Sequence, residues 1–145
     1  MDSESRRYCW ARRAELALCQ DDPALALEIV EGLIASAPGM VLGRVISFLW
    51  KLKGEALAAL GDTEAACSLL DAAIENVQST GERFLLWRLH ASLGQLYHFM
   101  GRHSEAEKEF SNTRKHIQEL ADTMPDGELR NNFLRRSQER LMFIP

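Results

Sequence analysis

The side chains best suited to holding a metal or moving a proton are four histidines, His90, His98, His103 and His116. A zinc centre needs three or four ligands converging on one point. His90 and His98 are eight residues apart, so on a helix they share a face yet sit two turns from each other, too far to ligate one ion together. His103 falls in a turn and His116 on the following helix, so surface or groove positions are the expectation and no metal is expected. Cys19 and Cys67 fall within apolar helical stretches, where a free cysteine behaves as a small hydrophobe rather than a nucleophile. Asp21 and Asp22 form a carboxylate pair in a turn and read as capping groups, while Glu105, Glu107 and Glu109 read as a solvated helix start that suits the helix dipole. Neither of the glycine-rich patterns that cradle phosphate occurs. No catalytic, cofactor-binding or metal site is expected, and the chain reads as a non-enzyme.

The bulk properties point the same way. Of 145 residues, 46% are hydrophobic and 26% charged, the balance of a globular protein long enough to bury a core without disulfides. Leu, Ala, Glu and Arg dominate, and this mixture favours helix. The net charge of −4 argues against direct nucleic-acid binding, which needs a basic surplus to neutralise phosphates. Three widely spaced cysteines give neither a disulfide framework nor a zinc pattern. The most apolar stretch, Met40 to Leu52, contains Arg44 and Lys51 and is too short to span a bilayer. No secretory core follows the N-terminus, so a cytoplasmic location and no membrane partner are expected.

The elements that position these residues emerge when the chain is compared with itself at a shift of 40. Trp10, Trp50 and His90 then coincide, as do Ala14, Gly54 and Gly94, and Ala26, Ala66 and Ala106. Val30, Leu70 and Phe110 follow in the same register, and Asp21, Gly61 and Gly101 occupy the turn. Each copy reads as two helices, roughly 5–19 and 23–35, then 41–60 and 63–77, then 82–100 and 104–121. Asp22-Pro23 offers an N-cap followed by proline at the first helical position. Gly61 and Gly101 suit the left-handed turn that stops a helix, and Ser104 is placed to cap the next. Ala37-Pro38-Gly39 and Ser79-Thr80-Gly81 separate the copies. Gly54 and Gly94, facing Ala66 and Ala106, predict close helix crossings. Trp10 and Trp50 are expected in the core. A last helix, about 126–141, carries Leu129, Phe133, Leu134, Ser137 and Leu141 near one face with arginines on the rest, which suits a cap on an otherwise open hairpin.

These residues resemble the tetratricopeptide repeat, whose pattern is W-x2-L-G-x2-Y followed by A-x3-F. The third copy reads His90-x2-Leu93-Gly94-x2-Tyr97 and then Ala106-x3-Phe110; the second reads Trp50-x2-Lys53-Gly54-x2-Leu57 and then Ala66-x3-Leu70; the first keeps Trp10, Ala14 and Ala26. The period of 40 rather than 34 implies helices longer than the standard unit. Such stretched arrays resemble those of bacterial signalling ATPases of the STAND type, which sit beside LuxR-type DNA-binding or adenylate-cyclase domains. The segment from Leu120 to Arg130, with Phe133-Leu134 after it, is similar to the closing segment of those arrays. The expected fold is therefore an all-α, tetratricopeptide-like solenoid of three hairpins, about 5–39, 40–80 and 81–122, with a capping helix, in one domain spanning 1–145.

The resemblance also implies a function. In the family, the first helix of each hairpin lines a concave groove. Carried onto this chain, the partner-binding positions are Tyr8, Glu15, Phe48, Lys51, Glu55, Arg88, Gln95, His98 and Phe99, alongside Ala11, Leu18, Cys19, Ala58, Ala59 and Ala91. Aromatic anchors with carboxylates between them suit a protein or peptide segment carrying apolar side chains and a basic group. Glu15, Glu55 and Gln95 stand where the chaperone-adaptor version of the repeat grips a C-terminal carboxylate, so that ligand is not expected. The implied role is a protein-binding scaffold in a bacterial signalling or transcription-regulatory system, with no cofactor. The alternative is a self-associating module, a homodimer closed through the groove or the end of the stack.

Overall fold

The computed structural model describes residues 3–36 and 45–141. Among them every regular element is an α-helix: α1 (Ser3–Cys19), α2 (Pro23–Ala35), α3 (Val45–Ala59), α4 (Thr63–Thr80), α5 (Arg83–Phe99), α6 (His103–Thr123) and α7 (Glu128–Leu141). These match the expected helices to within a few residues, the margin over which helix ends fray. The Ala37-Pro38-Gly39 separator and the expected start of the third helix at Val41 lie outside the described residues. The helices group into two compact units, Met1–Thr80 holding α1–α4 and Gly81–Pro145 holding α5–α7.

The turn inside each hairpin is built three times with the same bonds. Asp21, Gly61 and Gly101 all have positive φ, at 61°, 96° and 82°. The next residue's N–H then reaches back to a carbonyl five positions earlier: Asp22 to Ala17 at 2.8 Å, Asp62 to Leu57 at 2.9 Å and Arg102 to Tyr97 at 2.9 Å. This left-handed closure satisfies carbonyls that the helix end would otherwise orphan. In the first two turns an aspartate also caps the following helix: Asp22 accepts from the Leu25 N–H at 3.2 Å and Asp62 from the Ala65 N–H at 3.3 Å. The third turn differs from expectation. Ser104 lies inside α6, whose cap residue is Arg102, with no side-chain capping bond. The Arg102 side chain instead lies over the Tyr97 ring, 4.7 Å from its centroid, and pairs with Glu105.

Within residues 1–80, α3 packs on α1, α2 and α4. Ala11, Ala14, Ala26, Val30, Leu49, Leu52, Ala56, Ala66 and Ala73 are fully buried. A leucine so buried contributes about 1.5–3 kcal/mol. Small residues set how closely each hairpin closes. A Cβ placed on Gly54 would stand 3.0 Å from Leu70 Cγ, and one on Gly94 would stand 2.7 Å from a Phe110 ring carbon. The expected close crossings are therefore present in α3–α4 and α5–α6. In α1–α2 the equivalent residue is Ala14, and the residue in the register of Leu70 and Phe110 is the smaller Val30.

Within residues 81–145, Leu86, Leu89, Leu93 and Leu96 of α5 are buried with Ala106, Phe110, Ile117 and Leu120 of α6. The expected capping helix is α7. Its Phe133 and Leu134 cover Trp87, Ile117 and Leu120, and Phe133 makes edge-on ring contacts with Phe84 and Trp87 at 6.0 and 6.4 Å. Ser137 is buried, its hydroxyl donating to carbonyls one turn back in its own helix.

Candidate protein-interaction surfaces

In the first unit, Tyr8 and Glu15 of α1 lie on the helix side that also carries Arg12. The Arg12 guanidinium pairs with Glu15 at 3.1 Å and stands 5.3 Å above the Phe48 ring of α3, which joins the two helices. A cation over an aromatic face is worth about 0.5–2 kcal/mol. Lys51 forms an ion pair with Glu55 one turn on. Tyr8 is 38% exposed, and Glu15 and Glu55 are half-buried. Phe48 and Lys51 depart from expectation: they are 6% and 5% exposed. Phe48 is a packing residue under Arg12 rather than an open anchor. Lys51 keeps its ammonium in a buried place because Glu55 supplies the opposite charge that such burial requires.

In the second unit, Arg88 and His98 are half-buried, Gln95 is exposed and Phe99 is 81% exposed. The His98 ring meets that of His103 edge-on at 4.9 Å. Phe99 is therefore the most open of the expected anchors. Other expectations change as well. Cys19 is exposed and Cys67 half-buried, so neither is a core thiol. Trp10, expected in the core, is 44% exposed.

Two features were not foreseen. The first is an open groove of about 470 Å³ between α1 and α2, lined by Trp10 and Arg13 of α1 and by Leu25, Glu28, Ile29, Gly32 and Leu33 of α2. Arg13 lies 5.0 Å above the Trp10 ring. Arg7 ties the two helices together nearby, donating to the Leu33 carbonyl at 2.9 Å. The second is a polar cluster inside α5–α6. His90 Nδ1 lies 2.6 Å from Glu109 Oε2, and the His90 ring stacks on His116 at 5.2 Å and 12°. His116 in turn faces Glu119 at 3.5 Å. Its pKa lies below the usual histidine value, first because burial disfavours the charged ring and then because His90 adds like charge, against the opposing pull of Glu119.

The cluster was legible in the repeat. The residues nineteen positions after Trp10, Trp50 and His90 are Ile29, Leu69 and Glu109. Where tryptophan becomes histidine, its apolar neighbour becomes a carboxylate. Among the described residues no group of histidine, cysteine and carboxylate side chains could hold a metal ion, and no helix is long and apolar enough to cross a membrane.

Helical hairpins closed by recurring left-handed turns, with small residues at the crossings, make an all-α fold of the tetratricopeptide-like class. Residues 46–111, from α3 into α6, match the family model described as tetratricopeptide repeat. That segment holds most of the second copy and the motif-bearing part of the third, and the all-α fold agrees with it. Repeats of this family generally mediate protein–protein interaction and are not catalytic. No curated protein and no solved structure matches the chain significantly.

Proposed function

We propose that this chain is a scaffold that binds a protein or peptide segment through the first helices of its hairpins, in the cytoplasm, as part of a bacterial signalling or transcription-regulatory system. Each unit offers its own part of the contact: Tyr8, Glu15 and Glu55 in the first, and Arg88, Gln95, His98 and Phe99 in the second. The observation that carries the reading is Phe99, a large apolar ring at 81% exposure on the helix where the family meets its ligands. Exposed aromatic side chains of this kind are common interface anchors.

Capture from a peptide library by the wild type and by a Tyr8→Ala, Phe99→Ala variant tests this. Both side chains are exposed, so the variant keeps its fold, and it is expected to lose most captured sequences. Capture of the same peptides at the same level would refute the assignment. Self-association is the second reading, favoured by the exposed Trp10. Light scattering across concentration separates the two, since a strictly monomeric chain removes the second.

A further inference from the structure

The open groove on α1–α2 has a counterpart elsewhere in the first unit. Trp10 and Arg13 correspond, 40 residues on, to Trp50 and Lys53 of α3. That face of α3 is not open. α2 packs on α3, and Glu31 of α2 stands 3.8 Å from the Lys53 ammonium. Trp50 is accordingly half-buried while Trp10 is 44% exposed. One register of the repeat thus occurs twice in this unit, once with a helix on it and once without.

We infer that the α1–α2 groove is a docking site for an amphipathic α-helix of a partner protein, seated as α2 is seated on α3, with a carboxylate set against Arg13. The chemistry of the occupant follows from the covered copy. It needs an apolar stripe to lie on Trp10, Leu25, Ile29 and Leu33, because those side chains leave a mostly apolar groove open to water. It needs an acidic side chain at its edge, because Arg13 stands in the place of Lys53, whose partner is Glu31. Arg6 and Arg7 line an adjoining pocket that shares Trp10 and Leu33 with the groove, so with Arg13 the positive charge here outweighs the single carboxylate of the lining, Glu28. Gly32 keeps the floor low: a Cβ there would meet nothing within 4 Å. This face lies on the opposite side of α1 from Tyr8 and Glu15, so it goes beyond the first-helix surface proposed above and each can fail alone.

The probe is a fluorescein-labelled peptide of the α2 sequence, residues 22–36, stapled across positions 24 and 28 to hold it helical, because a free helix of this length is marginal. Titrated into the full chain, it is expected to bind saturably. Gly32→Leu fills the groove without straining the helix and is expected to abolish binding with no loss of thermal stability. Arg13→Glu is expected to weaken binding about ten-fold, and a Glu31→Lys peptide to restore it. Absence of saturable binding to the wild type, or equal binding by Gly32→Leu, would overturn the proposal. A wild-type dimer that Gly32→Leu converts to monomer would assign the groove to a second copy of the chain and overturn the partner assignment.

Discussion

The first and third hairpins place their seam residue in the same register and treat it in opposite ways. Trp10 is apolar and 44% exposed, while His90 is polar and 7% exposed. Burial alone would reverse the two residue types. The difference lies in the neighbours. His90 is held by Glu109 and His116, which satisfy one ring nitrogen and stack the ring. Trp10 lies over an apolar groove that nothing in its own unit covers. The backbone repeat fixes where the side chain sits, and what meets it fixes which side chain works there. Changes that exchange these environments break the comparison, and changes that touch one copy sharpen it.

The largest effect is expected at the crossing next to the seam. Gly94→Leu places a branched side chain where a single Cβ would already stand 2.7 Å from the Phe110 ring and 3.2 Å from Glu109 Cβ. Overpacking of this kind costs about 1–3 kcal/mol or more. The melting temperature should fall by roughly 5–10 °C. Gly54→Leu should cost less, because its nearest neighbour is the flexible Leu70 side chain at 3.0 Å. Ala14 already carries a Cβ in this register, with Val30 in place of the larger residue, so the first hairpin shows the compensated arrangement. Equal melting temperatures for wild type and Gly94→Leu would show that the helices do not cross there.

Next in size is the exchange at the seam itself. His90→Trp restores the residue of the other copies but leaves the Glu109 carboxylate, 15% exposed, without its imidazole. An unsatisfied buried polar partner costs about 1–3 kcal/mol. His90→Trp with Glu109→Leu restores both members of the pair and is expected to recover most of that loss in urea unfolding. A double variant no better than the single would show that the two positions are not coupled.

A smaller, opposite effect is expected in the first turn. Asp21 holds φ at 61°, where Gly61 and Gly101 serve in the other copies. An L side chain is strained in this region, although aspartate tolerates it better than most. Asp21→Gly should raise stability by about 0.5–1 kcal/mol, less the entropy that glycine adds to the unfolded chain. A loss of stability would mean that the Asp21 side chain contributes more than its backbone strain costs.

Much of the fold was readable because the determinants are local and recur. Glycines in the turns, Asp22-Pro23, and small residues sixteen positions before Leu70 and Phe110 each specify backbone geometry without reference to distant parts. Burial was harder. Phe48 and Lys51 were placed on an accessible face by their helical position, yet Arg12 covers the first and Glu55 neutralises the second, and pairwise partners of that kind are not encoded in periodicity. Trp10 failed in the other direction, because its residue type says that it needs a cover and not whether one is present. The His90–Glu109 pair was visible as a joint departure from the repeat, a signal that appears only when both positions are compared with their equivalents at once.

The smallest effect concerns acidity and also separates the two hairpins, since α1–α2 contains no histidine. His116 has its pKa lowered below 6.5 by burial and by His90. In the unfolded chain it therefore takes up a proton at a higher pH than in the folded one. Its contribution to stability is complete above about 6.5 and is lost as pH falls through the lowered value. The charges of Glu119, Lys115 and His90 act on the ring; Glu119 softens the loss, while the other two deepen it. Melting temperatures from pH 7.5 to 5.5 should fall less steeply in His116→Gln than in the wild type. Parallel slopes would show that stacking on His90 carries no proton linkage and that the cluster is only a polar plug in the α5–α6 seam.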